Sequence, residues 1–585
     1  MRFLKKALRL PELYVAIVTL VLGLAVCYGK VIAESVTLTR SETTRSVLFP
    51  ILEKMDRNEM FHVSFDINAG SPYNIHIVPD DCVENFMVNG EEVPMEGVDG
   101  TCDYNNGFRL KYEQFKGTGK DHFDIAIRNG VGPGGLNIEI ECKKSALWSV
   151  ARYGFFVGFV LLCALLLRHL KIGVAAYVIL VCGIVLRLFF VDAMPAPNKF
   201  GHDVDGHIAY VQYIVGNEKI PATEDCWTCY HPPVYFAMMA PLWKIAPLFK
   251  MQSDVALQTA SFVISLLILL FGFLVLRQIF SGASLTLATL LWTFWPMMVL
   301  SCGRIGNDQL FYLLHIVCLW GALGYLQKRK GRCLLVAAIA SLLAVWTKTT
   351  GTISIGICVL ALLLGFFSPV GSFRLKKGEI TSIVVLALTV ISCAVKMYVN
   401  GGEIVSNAHS LNGGLKVGHD FVNFLYVDIK QLLAYPYTSP WEDNLGRQYF
   451  VNYMHKTSLF GEFKLLTDSV GVFWAEVVNV TSLLLGLYVL RGIWGKAIDR
   501  TRLLLLVQFA VFVVALAYLR WQHPYSCSND FRYIAPVLLS VVPFAIEGIT
   551  VSGGSFKWKV CGVLSLVAFA VSSVVLMALL ALNIR

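Results

Sequence analysis

The sequence predicts a polytopic α-helical membrane protein that carries an external β-sandwich near its N-terminus. Three observations predict it. Hydrophobic residues make up 56% of the 585-residue chain and charged residues only 15%, at a mean hydropathy of +0.62, a balance that no water-soluble enzyme of this length tolerates. Apolar runs long enough to cross about 30 Å of hydrocarbon, roughly 20 residues each, recur along most of the chain. One long interval, about 34–144, instead alternates apolar and polar residues with the period of two that a half-buried strand requires.

The first apolar run, Glu12–Ala33, follows the basic stretch Met1–Arg9. Its length of about 20 residues and the lack of a convincing cleavage site make it an uncleaved anchor rather than a signal peptide. Further spans are expected near Ala146–Leu167, Val174–Phe190, Val255–Leu276, Ser284–Leu300, Leu310–Leu326, Leu334–Trp346, Ile353–Phe367, Ile380–Met397, Val470–Leu490, Leu503–Leu519, Pro536–Ile549 and Val560–Leu582, about thirteen in all. Inside lipid each must be helical, because only a helix satisfies its own backbone there.

Basic residues orient them. With the N-terminus cytoplasmic, Arg168/Lys171, Arg277, Lys328–Lys330 with Arg332, Arg374/Lys376/Lys377, Arg491/Lys496/Arg500/Arg502 and Lys557/Lys559 all fall on one side, as the positive-inside rule requires. The net charge of +9 is then a topology signal, and no nucleic-acid partner is needed to explain it. All the long loops, 34–145, 191–254 and 400–469, face the other side. The expected localisation is a bacterial-type cytoplasmic membrane, multi-pass, with the chemistry external.

The insert 34–145 contains strand-like segments at His62–Ile67, Asn74–Val78, Asn85–Val88 and His122–Ile127, separated by turns at Asn89-Gly90, Asn129-Gly130 and Gly132–Gly135, which mark hairpins. Two packed sheets are the expected result. Residues 146–173 supply a second span and a cytoplasmic connector, and 174–585 the main membrane core. Of 15 cysteines, those in apolar helices behave as small hydrophobes. Cys82, Cys102, Cys142, Cys226, Cys229 and Cys527 meet an oxidising compartment. Cys82–Cys102 is the first expected disulfide. Cys226-Trp-Thr-Cys229 beside His231 reads as a structural disulfide, since a zinc site wants four ligands.

Chemistry concentrates after the third span, in Gly201-His-Asp-Val-Asp-Gly-His-Ile-Ala-Tyr210 and Tyr230-His-Pro-Pro-Val-Tyr-Phe236. Asp203 and Asp205, flanked by His202 and His207, offer a general base or a cation ligand at the membrane–water boundary. The bland alternative is that Asp205 caps a helix starting near His207 while Asp203 is merely solvated.

These residues resemble the first external loop of GT-C membrane glycosyltransferases, the superfamily of lipid A aminoarabinose transferases and protein O-mannosyltransferases. There, an acidic motif at the end of a span precedes an aromatic-rich helix and a His-Pro-Pro segment, here Asp203/Asp205, Tyr210–Ile214 and His231-Pro232-Pro233. Gly303-Arg-Ile-Gly-Asn-Asp308 is similar to the second external acidic loop, Trp346-Thr-Lys-Thr-Thr-Gly351 to a lysine-containing turn, and Phe531-Arg-Tyr-Ile-Ala-Pro536 to an Arg-Tyr-x-x-Pro opening of a late span. The resemblance runs from about Val174 to the C-terminus. The family's acidic motif is commonly Asp-Glu, whereas Asp203-Val-Asp205-Gly-His207 stands here, so the register of the base stays open between Asp203, which is favoured, and Asp205. The insert likewise resembles the jelly-roll carbohydrate-binding-like modules of glycosidases.

The resemblance implies a polyprenyl-phosphate sugar as donor, an inverting displacement with Asp203 or Asp205 as base, and Arg304, Lys348 and Arg532, with Tyr533, as the donor-phosphate site. Asp308 would orient a cation or hold a metal, and His207, Tyr210 and His231 would shape the acceptor path. Partners would be the lipid-linked donor, membrane lipids, and a glycan, lipid or protein acceptor. The Asp-Val-Asp spacing also suits a divalent ion, so metal dependence stays open. The aromatic loop 400–469 suits a sugar lid or an interfacial belt. Two rivals remain: a transporter or flippase of lipid-linked saccharides, and a non-catalytic glycan-binding scaffold. The absence of paired charges near span centres weighs against the transporter.

Overall fold

The computed structural model describes residues 10–584 apart from 96, 105, 131–132, 195, 197–199, 368–374, 400–412 and 552–554. The basic stretch Met1–Arg9, the Gly132 turn position, Arg374 and the start of the 400–469 loop lie outside the described residues. Two compact units make up the chain. The first comprises Met1–Leu170, Asp203–Cys229 and Phe236–Thr259, the second Lys171–His202, Tyr230–Tyr235 and Ala260–Arg585.

The first unit joins a membrane hairpin to a β-sandwich. Helices Leu10–Tyr28 and Ala146–Arg168 run antiparallel, tied at one end by Trp148 Nε1 donating to Val26 O at 3.0 Å and at the other by His169 against Glu12 at 2.9 Å. They pack through small residues. A Cβ at Gly158 would lie 2.4 Å from Thr19 Oγ1, so glycine is what lets the two backbones approach, as membrane helix pairs require.

Ten strands form the insert: β1 Ala33–Arg40, β2 Thr43–Ser46, β3 Ile51–Lys54, β4 Met60–Asn68, β5 Tyr73–Pro79, β6 Cys82–Val88, β7 Glu91–Glu92, β8 Phe108–Leu110, β9 Lys120–Arg128 and β10 Pro133–Cys142. They order as β2-β1-β4-β9-β6-β7 and β3-β10-β5-β8, both sheets antiparallel. Alternation explains the faces. Phe61, Val63, Phe65 and Ile67 of β4 are buried, as are Phe123, Ile125 and Ile127 of β9, and together with Ile75, Ile77 and Ile138 of the other sheet they form one core. Phe65 pairs with Phe123 in register, and their rings stack at 5.0 Å. The expected Cys82–Cys102 disulfide is present, whereas Cys142 is a free thiol.

One buried carboxylate organises a sandwich edge. Asp121, 2% exposed, accepts from Tyr73 Oη at 2.8 Å, Asn89 Nδ2 at 2.9 Å, Thr118 N at 2.7 Å and Gly119 N at 3.1 Å. Burial pushes its pKa up, but the hydrogen bonds from Asn89, Thr118 and Tyr73 outweigh it and hold the group below its ordinary value. A depressed carboxylate stabilises the fold above its unfolded pKa and loses that contribution as pH falls through the folded one. Asp121→Ala is therefore expected to cost the sandwich about 3 kcal/mol at neutral pH. Denaturant melts at pH 7 and pH 3 check this; a gap between wild type and variant that fails to shrink at pH 3 would contradict it.

Each of the thirteen apolar segments expected from the sequence is helical over most of its length, the first ending at Tyr28 rather than Ala33, and among the described residues eleven helices are long and apolar enough to cross a membrane. The protein is a multi-pass membrane protein. Two expected spans are helices of fewer than 18 residues, Gly282–Thr293 and Gly331–Val345. The first was expected to continue to Leu300. It breaks at Phe294–Trp295 because Pro296 disfavours helical backbone at the residue before it; Trp295 is extended, and helix resumes at Pro296–Leu300.

Within the second unit, polar side chains join the helices away from lipid. His315 meets Ser354 Oγ at 2.9 Å and Gln508 Oε1 at 3.4 Å, and Gln508 donates to Ser540 Oγ at 3.1 Å. Arg187, 2% exposed, donates to Gly183 O and Thr293 O. Both groups spend their polarity on neighbouring helices, which is the ordinary role of polar residues inside a bundle.

Candidate functional site

In the second unit, four separate stretches of chain bring cations and carboxylates together. Helix Asn307–Lys328 carries Asp308 in its first turn, and the short helix Pro296–Leu300 leads into Arg304 just before it. The chain between helices Gly331–Val345 and Thr352–Phe366 holds Lys348 in extended backbone. Asp530 caps the 3-10 turn Phe531–Val537, its Oδ1 accepting from Arg532 N at 3.0 Å. Helix Phe450–Phe460 ends at Gly461, followed directly by Glu462 and Phe463.

These groups interlock. Lys348 Nζ is paired with Asp308 Oδ1. Arg532 bridges two carboxylates, Nη1 to Asp308 Oδ2 at 3.7 Å and Nε to Asp530 Oδ2 at 3.1 Å. His202 Nε2 lies 3.3 Å from Glu462 Oε2 and 3.5 Å from Asp530 Oδ2, and Tyr453 donates to Glu462 Oε1 at 2.5 Å. Tyr533 presents its ring to both Lys348, at 4.8 Å, and Arg532, at 4.9 Å, while Tyr312 holds Arg532 O at 2.5 Å. Arg304, Lys348 and Arg532 are 7–8% exposed and Asp530 is fully buried.

Arg304 differs from the other two cations. Its guanidinium lies over the Phe463 ring at 5.4 Å, and its Nε and Nη2 have no hydrogen-bond partner among the described residues. Burial lowers its pKa from the ordinary arginine value, with Asp530 acting in the opposite sense. The site thus sets three cations against Asp308, Asp530 and Glu462, and leaves two donors of Arg304 without a hydrogen bond among the described residues.

The His-Pro-Pro segment is tied to this unit. Val234 N donates to Trp346 O at 3.0 Å, beside the Lys348 turn, and Gly306 N donates to Tyr235 Oη at 2.9 Å. His231 is half-buried, its ring 4.2 Å from Tyr230.

In the first unit the acid pair opens helix Val204–Asn217. The helix starts at Val204 rather than near His207, and Asp203 takes the N-cap position in left-handed backbone, φ +56°, without a side-chain capping bond. The bland reading of Asp205 as the cap is therefore replaced: Asp205 lies inside the first turn. Aspartate tolerates left-handed backbone better than most residues, at a cost. Asp205 keeps a solvent-accessible face, yet the protein packed around it, and then the Asp203 charge, raise its pKa above the ordinary value. Asp80, at the β5–β6 turn, is pushed up to about 7 by burial and by the charges of Asp81 and Asp205. His207 and Tyr210 face inward on Phe236, Tyr210 stacking at 3.8 Å and His207 at 5.6 Å. Both support the helix rather than project from it.

Arg304, Asp308, Lys348, Arg532 and Tyr533, expected from the sequence, thus converge; His202, noted there only as a flank of the acid pair, and Tyr453 of the aromatic loop join them, as do Glu462, Asp530 and Phe463, which were unforeseen. Asp530 stands two residues before the Arg532-Tyr533 pair, a signal within reach. Glu462 has none: it is one acidic residue in a long polar loop.

No protein-family profile matches the chain, and no curated protein sequence matches it. Solved structures do. The oligosaccharyltransferase of Archaeoglobus fulgidus tethered to an acceptor peptide is 14% identical over 69% of this chain and 55% of its own, with a TM-score of 0.34. ArnT of Cupriavidus metallidurans bound to undecaprenyl phosphate is 12% identical over 64% of this chain and 78% of its own, TM-score 0.33. The arabinosyltransferase EmbB of Mycobacterium smegmatis is 8% identical over 98% of this chain and 63% of its own, TM-score 0.33. The matched part of the oligosaccharyltransferase is thus about half its length.

Proposed function

We propose that the protein is a membrane glycosyltransferase of GT-C type, moving a sugar from a polyprenyl-phosphate donor to an acceptor on the external face. The observation that carries this reading is Arg304 together with Lys348 and Arg532: three buried cations, of which Arg304 has neither Nε nor Nη2 hydrogen-bonded among the described residues. A buried guanidinium with unbonded donors is costly, and a phosphate is the anion whose oxygens accept from such a fork. The tail of a lipid phosphate partitions into the bilayer, while its headgroup meets the cations at the ends of helices. The side of the membrane follows from the basic loops, which the positive-inside rule assigns to the cytoplasm.

In the reaction, an Asp carboxylate takes the proton from the acceptor hydroxyl or amine as that atom attacks the anomeric carbon. The bond from that carbon to the phosphate oxygen breaks, its electron pair stays on the phosphate, and polyprenyl phosphate leaves. A single displacement inverts the anomeric centre. Asp203 and Asp205 are the base candidates, and the raised pKa of Asp205 moves it toward the range of an effective general base. Arg304, Arg532 and Lys348 take up the charge that develops on the leaving phosphate.

His202 Nε2, a Glu462 oxygen and an Asp530 oxygen lie within 4.8 Å of one another, the donor chemistry of a divalent-ion site. Arg532 Nε, 3.1 Å from Asp530 Oδ2, already supplies positive charge there, and a second, divalent charge against it would be repelled. The residues therefore fit a metal poorly, and no step is routed through one. Dialysis against a chelator is expected to leave transfer within about twofold, and loss of activity restored by zinc or manganese would overturn this.

The deciding experiment is transfer of labelled sugar from polyprenyl-phosphate donors in membranes, comparing wild type with Asp203→Asn and Asp205→Asn at matched expression. Loss of about a hundredfold or more in one variant is expected of a general base. Equal transfer in all three would remove the Asp base, and no transfer in any would move the transporter reading ahead.

A further inference from the structure

The Cys226–Cys229 disulfide closes a tight loop whose two inner residues, Trp227 and Thr228, lie directly under the start of the acid-pair helix. Cys229 N donates to Cys226 O at 3.2 Å, and the turn before it is fixed by Ala222 N donating to Asp225 Oδ2 at 2.7 Å. Thr228 is fully buried. Its Oγ1 donates to Gly206 O at 2.6 Å, a first-turn carbonyl one residue beyond Asp205.

Contact at Gly206 is closer than any other residue allows. A Cβ there would lie 2.3 Å from Thr228 Cγ2 and 2.7 Å from Trp227 Cε3. From the other side, His207 and Tyr210 pack on Phe236. The first turn is therefore clamped between the disulfide loop and Phe236, which offsets the cost of the left-handed backbone at Asp203.

We propose that the Cys226–Cys229 loop is a positioning device for the acid pair: the disulfide holds Thr228 against Gly206 O and so fixes the directions of Asp203 and Asp205. The proposal rests on the reading of those aspartates as the base. Thr228 acts through the helix and touches no substrate. Because the loop is closed by a bond that a dithiol can reduce, the clamp depends on oxidation. Thiolate attack on one Sγ forms a mixed disulfide, the second reductant thiol displaces it, and two cysteine thiols and one cyclic disulfide result.

The test uses the full-length protein in detergent with lipid. Thr228→Val, which keeps the shape and removes the donor, is expected to lower kcat about tenfold to a hundredfold with KM within about twofold, because misaimed reacting groups lose rate before binding. Thr228→Ser restores the hydroxyl and is expected within about threefold of wild type. Cys226→Ala/Cys229→Ala should behave like Thr228→Val, and so should Cys82→Ala/Cys102→Ala treated with dithiothreitol, compared with the same variant left oxidised. Hydrogen exchange gives an independent readout: amides 204–208 should exchange faster in Thr228→Val and in Cys226→Ala/Cys229→Ala, with strands β4 and β9 unchanged. Wild-type kcat in Thr228→Val, or unaltered protection at 204–208, would overturn the proposal. If wild type itself transfers nothing, the reading of the base fails, and the exchange experiment alone decides the clamp.

Discussion

Arg304→Gln is expected to lower sugar transfer by about 10³-fold while leaving the protein as stable as wild type or slightly more so. The argument is a difference between two states. In the resting protein, Arg304 is buried, makes no hydrogen bond through Nε or Nη2 among the described residues, and sits on Phe463. Its desolvation is a cost that glutamine does not carry. In the transition state, the leaving phosphate gains charge, and a preorganised guanidinium in a water-poor site stabilises it; single donors aimed at developing charge are worth about 10² to 10³ in rate. Arg304→Lys keeps the charge but not the fork, and should recover only part of the loss. Initial rates at saturating donor, with melting temperatures from the same preparations, check both halves. Wild-type rate in Arg304→Gln would remove the observation on which the proposed function stands.

The largest effect on stability is expected at Asp530. It is fully buried, it accepts from the backbone of Arg532, and its Oδ2 meets Arg532 Nε at 3.1 Å and His202 at 3.5 Å. Asp530→Ala leaves two neighbouring guanidinium groups, Arg532 and Arg304, with less negative charge to balance them in a low-dielectric interior. Breaking a buried pair from one side costs about 3–5 kcal/mol. The double variant Asp530→Ala/Arg532→Met removes both partners and should recover much of the loss, because the cost lies in the stranded charge rather than in the missing bond. Thermal unfolding in detergent, followed by the remaining monodisperse fraction, measures it. A single variant that melts like wild type would show that the charges are balanced elsewhere.

Much of the fold was legible because membrane helices and exposed strands announce themselves through period and length. The thirteen apolar segments became helical over most of their lengths, and the alternation at His62–Ile67 and His122–Ile127 became β4 and β9 in register. Where the expectation failed, a local rule had been outweighed by apolar content: the run through Ser284–Leu300 reads as one span, but Pro296 cuts it. The helix cap failed for a different reason. A capping role for Asp205 followed from residue type, whereas the actual start at Val204, with Asp203 in left-handed backbone, depends on what packs beneath Gly206.

The candidate site divides along the same line. Arg304, Asp308, Lys348 and Arg532 stand in short motifs at the ends of spans, so their place at the membrane boundary could be read from the order of apolar and polar residues. Their pairing could not. Asp308 meets Lys348 and Arg532 from stretches 40 and more residues away, and Glu462 reaches His202 across some 260 positions; nothing local encodes such distances.

By itself, then, the sequence determined the solvent, the order of most of the apolar helices and the sandwich, and it pointed to both disulfides. These depend on the partition of each segment between water and an apolar medium, which is a property of the segment alone. Only the tertiary structure decided which carboxylate balances which cation, that Arg304 keeps two donors without a hydrogen bond among the described residues, and that the Cys226–Cys229 loop clamps the acid-pair helix. Those outcomes depend on electrostatic and steric terms that act over a few ångströms between residues far apart in the chain, and they exist only once the helices have packed.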